Sequence, residues 1–285
     1  MSGRRLRLSA GDPERDSLIV GRVVIVLRDE SVEFELVVPD GKVAFEDTLA
    51  VVQGLTDFVV DLGIATTNAA GEAISCRAGC GACCRQIVPI SQAEARALVR
   101  LVDAMPESQR SLVRKRFHAA LETFDASGLL AEIDKAREDE NGSVGDIGMR
   151  YFREGVACPF LEDEACSIHP DRPLACRQYL VTSPARNCEN PSPSSIKTVA
   201  LPAQPSQALL LADSTDSRVT WMPLVYALTY VEQVPPRPPS RTAPDILHDI
   251  FSRLGDGSTS RQSPQSAPEL APTNTPHGSG PESAM

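Results

Sequence analysis

The chain has 285 residues, with 28 Lys and Arg against 38 Asp and Glu, and eight Cys. This length can bury a real core in one or two domains. The net charge of −10 argues against a nucleic-acid binder held by phosphate contacts, and no run of 18 uncharged apolar residues suggests a membrane span.

The opening Arg4-Arg5-Leu6-Arg7 faintly resembles a twin-arginine export signal. Asp12, Glu14 and Asp16 follow where such a signal needs an apolar run, so export is not expected. A reducing cytoplasm is the expected setting, where cysteines rarely form structural disulfides. Metal binding, redox chemistry and buried inert thiols remain as uses for the eight.

Residues 17–27 and 32–38 are rich in β-branched side chains, and Arg28-Asp29-Glu30-Ser31 between them is turn-like, which predicts a β-hairpin. Pro39-Asp40-Gly41 ends it. Leu49, Val52, Leu55, Val59 and Leu62 recur at helical spacing within 46–67. Ser91-Gln92-Ala93-Glu94 is a capping box that predicts a helix to about residue 104. Pro106 opens the next helix, with Leu112, Val113, Phe117, Leu121 and Phe124 on one face. A third is expected over 128–138, before Asn141-Gly142 breaks the chain.

Residues 143–196 read as irregular and Pro-containing, with two short strands. Helices are expected again over 220–233 and 244–254, the latter through Ile246, Leu247, Ile250, Phe251 and Leu254. The Pro-rich stretch 235–244 reads as a semi-rigid linker. From Gly255 onward large apolar residues almost vanish, which predicts disorder. The expectation is an α+β, mostly helical protein with an N-terminal β-hairpin and an irregular, metal-bound cysteine-rich segment. Its parts are a hairpin segment (1–45), a helical domain carrying the metal site (46–233), a linker with a C-terminal helix (234–254) and a disordered tail (255–285).

The cysteines fall into two groups, Cys76-x3-Cys80-x2-Cys83-Cys84 and Cys158-x7-Cys166-x9-Cys176-x11-Cys188. Two or three intervening residues let a turn bring two sulfurs onto one ion at about 2.3 Å. Gly79 and Gly81 suit such a turn, where φ > 0 and free N–H groups near sulfur are needed. Neighbouring side chains such as Cys83 and Cys84 should point apart. The pair is therefore read as serving two metals or a cluster of several metal atoms. Eight thiolates divide into two sets of four, suiting two zinc ions or two iron–sulfur clusters. One four-cysteine cluster with leftover structural thiols also stays open.

Eight thiolates around two Zn²⁺ leave four negative charges, and Arg77, Arg85, Arg172, Arg177 and Arg186 flank the groups. Arg77, Arg172 and Arg177 are the leading candidates to donate to sulfur or to nearby carboxylates, with solvated surface positions as the alternative. Cys188 is the outlying ligand candidate, before the loop Glu189-Asn190-Pro191.

The first group, followed by Cys158-Pro159-Phe160-Leu161, Cys166-Ser167-Ile168-His169 and Arg172-Pro173-Leu174-Ala175-Cys176-Arg177-Gln178-Tyr179, resembles the YkgJ-like cysteine-cluster family over about residues 74–190. That resemblance implies zinc or iron binding. Its relatives include flagellin lysine N-methylases, whose cysteine module sits inside a methyltransferase. Most other members have no assigned reaction. The family commonly carries an aromatic residue at the position of His169, so His169 is read as a turn residue before Pro170.

Cys158 to Cys166 reads as a tight hairpin with Glu162-Asp163-Glu164 at its tip and Phe160, Leu161 and Ile168 as buried pins. Tyr179 is read either as packing over the cluster or as core. His118 and His248 lie on helices and His277 in the tail, all three as ordinary residues. No phosphate loop, dinucleotide fingerprint or His-Glu-x-x-His motif occurs.

Three functions therefore compete. The first is an iron or iron–sulfur centre, redox-active or part of a methyltransferase or oxidoreductase. The second is a zinc-stabilised, non-catalytic interaction module. The third is a thiol redox sensor using Cys83 and Cys84. Catalytic residues and any reaction stay unassigned, and a protein partner is left open.

Overall fold

The computed structural model describes residues 5–27, 30–138, 144–192, 194–214 and 221–254. In chain order these form β1 (Arg5–Ser9), β2 (Leu18–Leu27), β3 (Glu30–Pro39), β4 (Lys42–Val43) and α1 (Leu49–Ala69). Next come β5 (Pro89–Ile90), α2 (Gln92–Ala104), α3 (Glu107–Ala126), α4 (Leu129–Glu138) and α5 (Val144–Arg153). Then follow β6 (Leu161–Glu162), β7 (Ala165–Cys166), α6 (Leu174–Gln178) and α7 (Pro205–Asp213). The last are β8 (Met222–Pro223), α8 (Ala227–Gln233), β9 (Arg241–Thr242) and α9 (Ala243–Ser252). The fold is α+β and mostly helical, as the pattern predicts. The expected disordered tail and the Asn141-Gly142 break lie outside the described residues, as do Arg28 and Asp29 of the hairpin turn.

β2 and β3 pair antiparallel from Leu18↔Pro39 to Leu27↔Glu30, which is the predicted hairpin. β1 was not predicted. It lies parallel to β3, so β3 is central in the order β1-β3-β2. The reason is in the alternation Arg-Leu-Arg-Leu. Leu6 and Leu8 pack against the core, while Arg5 and Arg7 lie beside Glu33 and Glu35 on the open face.

The sheet packs on α1, where Phe34 meets Phe58 edge-on at 5.4 Å. Leu209 of α7 and Ile246, Leu247 and Ile250 of α9 complete this first core. The C-terminal helix thus closes the core of the N-terminal sheet. The segment Phe45–Ala69 is long and apolar enough to cross a membrane by length and composition. In this fold it is the central helix, with Val51, Val52, Leu55 and Val59 fully buried.

A second core gathers residues of α2, α3 and α8 with Phe160 and Ile168. A third gathers α3, α4 and Tyr151 of α5. The described part of 143–196 is more regular than its composition suggests. α5 forms because Ile147 and Tyr151, one turn apart, both reach the third core. α7 was not predicted either. Leu112, expected on the buried face of α3, is instead 45% exposed. The late helix starts only at Ala227, because β8 pairs with β5 through Pro89↔Pro223 and Ile90↔Met222.

Candidate metal centre

Both cysteine groups are described in full, and the fold brings them together. Cys80, Cys83 and Cys84 sit on a loop and the 3₁₀ turn Ala82–Arg85. Gly79 takes φ = +76°, the left-handed turn its spacing predicts. Gly81 has φ = −90°, so the conformational reason expected for it does not hold. It is glycine because of close approach: a Cβ there would stand 2.5 Å from Glu164 Oε2 and 2.7 Å from Leu161 Cδ1.

The second group starts on the predicted hairpin, β6–β7, whose turn residues Asp163 and Glu164 have φ of 47° and 58°. Two successive positive φ values match the mirror-image turns that suit a tight hairpin. Phe160 and Ile168 are buried as expected, whereas Leu161 is only half-buried.

Three tethers join the groups. The Cys158 N–H donates to the Cys84 carbonyl at 2.7 Å, and the Ser75 N–H to the Val181 carbonyl at 2.9 Å. The Arg85 guanidinium grips both oxygens of Glu164 at 2.7 and 3.1 Å and donates to the Gly81 carbonyl at 3.0 Å.

The sulfurs sort into two neighbourhoods. Cys80 and Cys188 pack with Ala82, Val181 and Tyr179, which places Tyr179 against the thiols. Cys158 and Cys166 pack on the second core. Electrostatics follows the same division. Burial and then the charges of Cys83 and Cys80 push the exposed Cys76 up, against a lowering Val181 N–H. Cys188 is raised by burial and by Cys76, Cys83 and Cys80. Burial pushes Cys158 up to about 12, with Cys166 and Cys83 adding to it. Cys166 is raised by burial and Cys83, and Cys176 strongly by burial with Cys158, Cys83 and Cys166.

Cys83 is common to both neighbourhoods. Its own thiol is pushed far up, first by a side-chain hydrogen bond with Cys84 and then by burial. Both lie on the 3₁₀ turn Ala82–Arg85.

Backbone N–H groups are aimed at three sulfurs. Val181 donates to Cys76 Sγ at 3.4 Å, Phe160 to Cys158 and Ile168 to Cys166. The last two share an i to i+2 spacing, and such N–H donors favour a thiolate. As the side chains stand, no three His, Cys, Asp or Glu among the described residues form a ready set of metal donors. The chemistry of the set still fits zinc or iron: eight sulfurs, N–H donors aimed at them, and a cation among them.

That cation is Arg172. Its charge pulls against the rise of Cys76, Cys83 and Cys166, and its buried Nε has no hydrogen-bond partner among the described residues. Arg177 has a different job. Its buried guanidinium donates to both oxygens of Asp57 at 2.8 Å, to the Pro170 carbonyl and, from Nε, to the Arg172 carbonyl at 3.0 Å. Arg85 holds the hairpin. His169 is exposed on the 3₁₀ turn His169–Asp171 and is lowered by Arg172, burial and Arg177.

Two supporting residues were not singled out from sequence for this role. Asp57 sits on α1, far along the chain, with no local signal. Glu94 was read only as the capping-box carboxylate of α2. It is 6% exposed, and burial raises it to about 6. Its second oxygen accepts the N–H of Leu174, the first residue of α6, which carries Cys176.

Residues 75–195 match the model of the CxxCxxCC family, described as "Putative zinc- or iron-chelating domain". No curated protein and no solved structure gives a match.

Proposed function

Starting from the zinc- or iron-chelating cysteine-cluster family to which residues 75–195 are assigned, we propose that all eight cysteines act in one bipartite thiolate centre. One set is Cys76, Cys80 and Cys188. The other is Cys158, Cys166 and Cys176. The adjacent Cys83 and Cys84 lie between them and supply a fourth sulfur to each. The observation that carries this reading is that Cys80 and Cys188 pack in one cluster and Cys158 and Cys166 against another, while the Cys158 N–H ties the second group to the Cys84 carbonyl.

Two four-thiolate sites suit zinc or iron–sulfur ligation, and closed sites of this kind hold structure or carry electrons. The bound metal would supply the cross-link between segments far apart in sequence, where closure removes most chain entropy. A reducing cytoplasm, which keeps the thiols available, is the setting that goes with this reading. The functional class is thus a metal-binding module, with no reaction assigned to it.

The test is metal analysis and a visible spectrum of freshly, anaerobically purified full-length protein, before and after loading. About two zinc equivalents without colour identify zinc sites, whereas iron with visible absorption identifies an iron or iron–sulfur centre. C83S and C84S should each reduce the metal content. A chain that takes up neither metal, with all eight thiols equally reactive before and after loading, overturns the reading.

A further inference from the structure

β2 is an outer strand of the N-terminal sheet. In the order β1-β3-β2 its only sheet neighbour among the described residues is β3, so the other edge of this ten-residue strand is unpaired. An open row of N–H and C=O groups is a template for another strand, and chains usually guard it with a short strand, charges, a proline or a bulge. The opposite edge of the sheet is guarded in this way: β1 has five residues, with Arg5 and Arg7 alternating along it. β2 has none of these devices beyond one arginine. Leu-Ile-Val-Gly-Arg-Val-Val-Ile-Val-Leu contains no proline, and its register with β3 runs from Leu18 to Leu27 without a bulge. The single charge, Arg22, is already offset by Glu33 of β3 at 3.7 Å. Val20, Val24 and Val26 stand on the face away from the core at 48, 60 and 68% exposure, so their apolar surface is left in water.

We propose that β2 is a dimerisation edge, which pairs antiparallel with β2 of a second copy about a two-fold axis at Val24 and joins the two three-stranded sheets into one. The occupant is a second copy because the strand complements itself in this register. An axis between two residues would set open-face side chains opposite core-face ones, so the axis must lie on a residue. At Arg22 it sets the two arginines directly opposite, and at Val23 it leaves them diagonal neighbours about 7–8 Å apart. At Ile25 only residues 23–27 of β2 overlap. At Val24 residues 21–27 overlap, and Arg22 faces Val26 of the second copy. The arginines then lie about 13 Å apart along the strands, beyond the screening length of about 8 Å. Val24 meets its own copy on the open face, and on the core side Leu27 lies opposite Gly21. A glycine inside a strand that has no bulge marks a place where another backbone comes close. This pairing does not rest on the metal-binding reading.

The experiment measures the mass of the full chain by sedimentation over a range of concentrations, for wild type, V24K, V24E and L112K. Wild type should sediment at twice the 30.6 kDa chain mass. V24K and V24E should each fall to the mass of one chain, because like charges then meet on the axis. An equal mixture of the two variants should recover the dimer, because opposite charges meet at the same point. L112K changes another exposed apolar residue, on α3, and should stay a dimer. Amide exchange of residues 21–27 in wild type should slow as concentration rises, a readout that needs no variant.

Wild type that stays a single chain overturns the proposal, as does a V24K protein that stays a dimer. A mixture of V24K with V24E that fails to associate overturns it too, and so does exchange of residues 21–27 that is independent of concentration.

Discussion

Glu94 and Leu174 are 80 residues apart, and the Leu174 N–H donates to Glu94 Oε1 at 2.8 Å. The other oxygen, Oε2, accepts the Ser91 N–H at 2.9 Å within the capping box of α2. One carboxylate therefore starts two helices, α2 and the Cys176-bearing α6. E94A would leave two buried N–H groups without partners, each worth about 1–3 kcal/mol. The expected loss in denaturant unfolding is about 3 kcal/mol, with weaker metal retention. E94Q keeps an oxygen and removes the buried charge, so about 1 kcal/mol is expected. An E94A protein as stable as wild type would show that the bridge contributes nothing.

Asp213 presents a second buried carboxylate to the same helix start, accepting the Ala93 N–H at 2.6 Å. Burial raises its pKa from 3.8 to about 6. Between these values the folded chain binds more protons than the unfolded chain, so stability from this group is full below pH 3.8 and falls as pH rises through 6. A shift of this size is worth about 3 kcal/mol. D213N should gain on wild type by up to that amount between about pH 4 and pH 7. Parallel stability profiles for the two proteins would contradict the assignment.

Gly81 lets the first cysteine loop lie directly on the β6–β7 hairpin. In G81A the new Cβ meets Leu161 Cδ1 at 2.7 Å and the Glu164 Cα at 3.2 Å, so backbone as well as side chain must move. Overpacking of this kind costs about 1–3 kcal/mol. Metal affinity should fall with it, because the two sulfur sets are spread. Chelator competition on G81A, with stability measured in parallel, separates the two effects.

Arg177 is 7% exposed and holds the loop that carries Arg172 against α1. Removing Asp57 leaves that guanidinium buried without its carboxylate, and D57N should cost about 1–3 kcal/mol. R177M removes the charge together with its tethers. It should also weaken metal binding, by releasing the loop that leads into the Cys176-bearing α6. Unfolding curves and cobalt titrations of both variants check this ordering.

Stripping metal from the loaded protein should loosen the centre before the rest. Amide exchange is expected to rise first around 75–90 and 156–190, while α1, α9 and the N-terminal sheet, joined in a separate core, stay protected. Uniform exchange across both regions after complete chelation would show that the metal does not hold these segments.

The hairpin, α1, α2 with its Ser91 cap, α3 and α9 were legible in the sequence because their signals are local. They lie in the alternation of β2 and β3, the helical repeat of Leu49 to Leu62, and a capping residue three positions from its carboxylate. The spacing of the first cysteine group was legible for the same reason. β1, α5 and α7 were not, because each is stabilised by a surface that other segments supply. β1 needs Glu33 and Glu35 beside its arginines, and α5 needs the third core.

The sequence by itself determined which atoms are available: eight sulfurs in two groups, with arginines beside them and a spacing suited to metal. Only the tertiary structure decided which of them pack together. It set Cys80 with Cys188 and Cys158 with Cys166, and gave Gly81 a packing reason rather than a conformational one. It also separated arginines that read alike in the chain, leaving Arg172 Nε buried without a partner among the described residues while Arg177 turned to Asp57. The physical reason is that a residue's type and spacing depend on the chain alone. What its donor or sulfur meets depends on segments far along the chain, as Asp57 is 120 residues from Arg177.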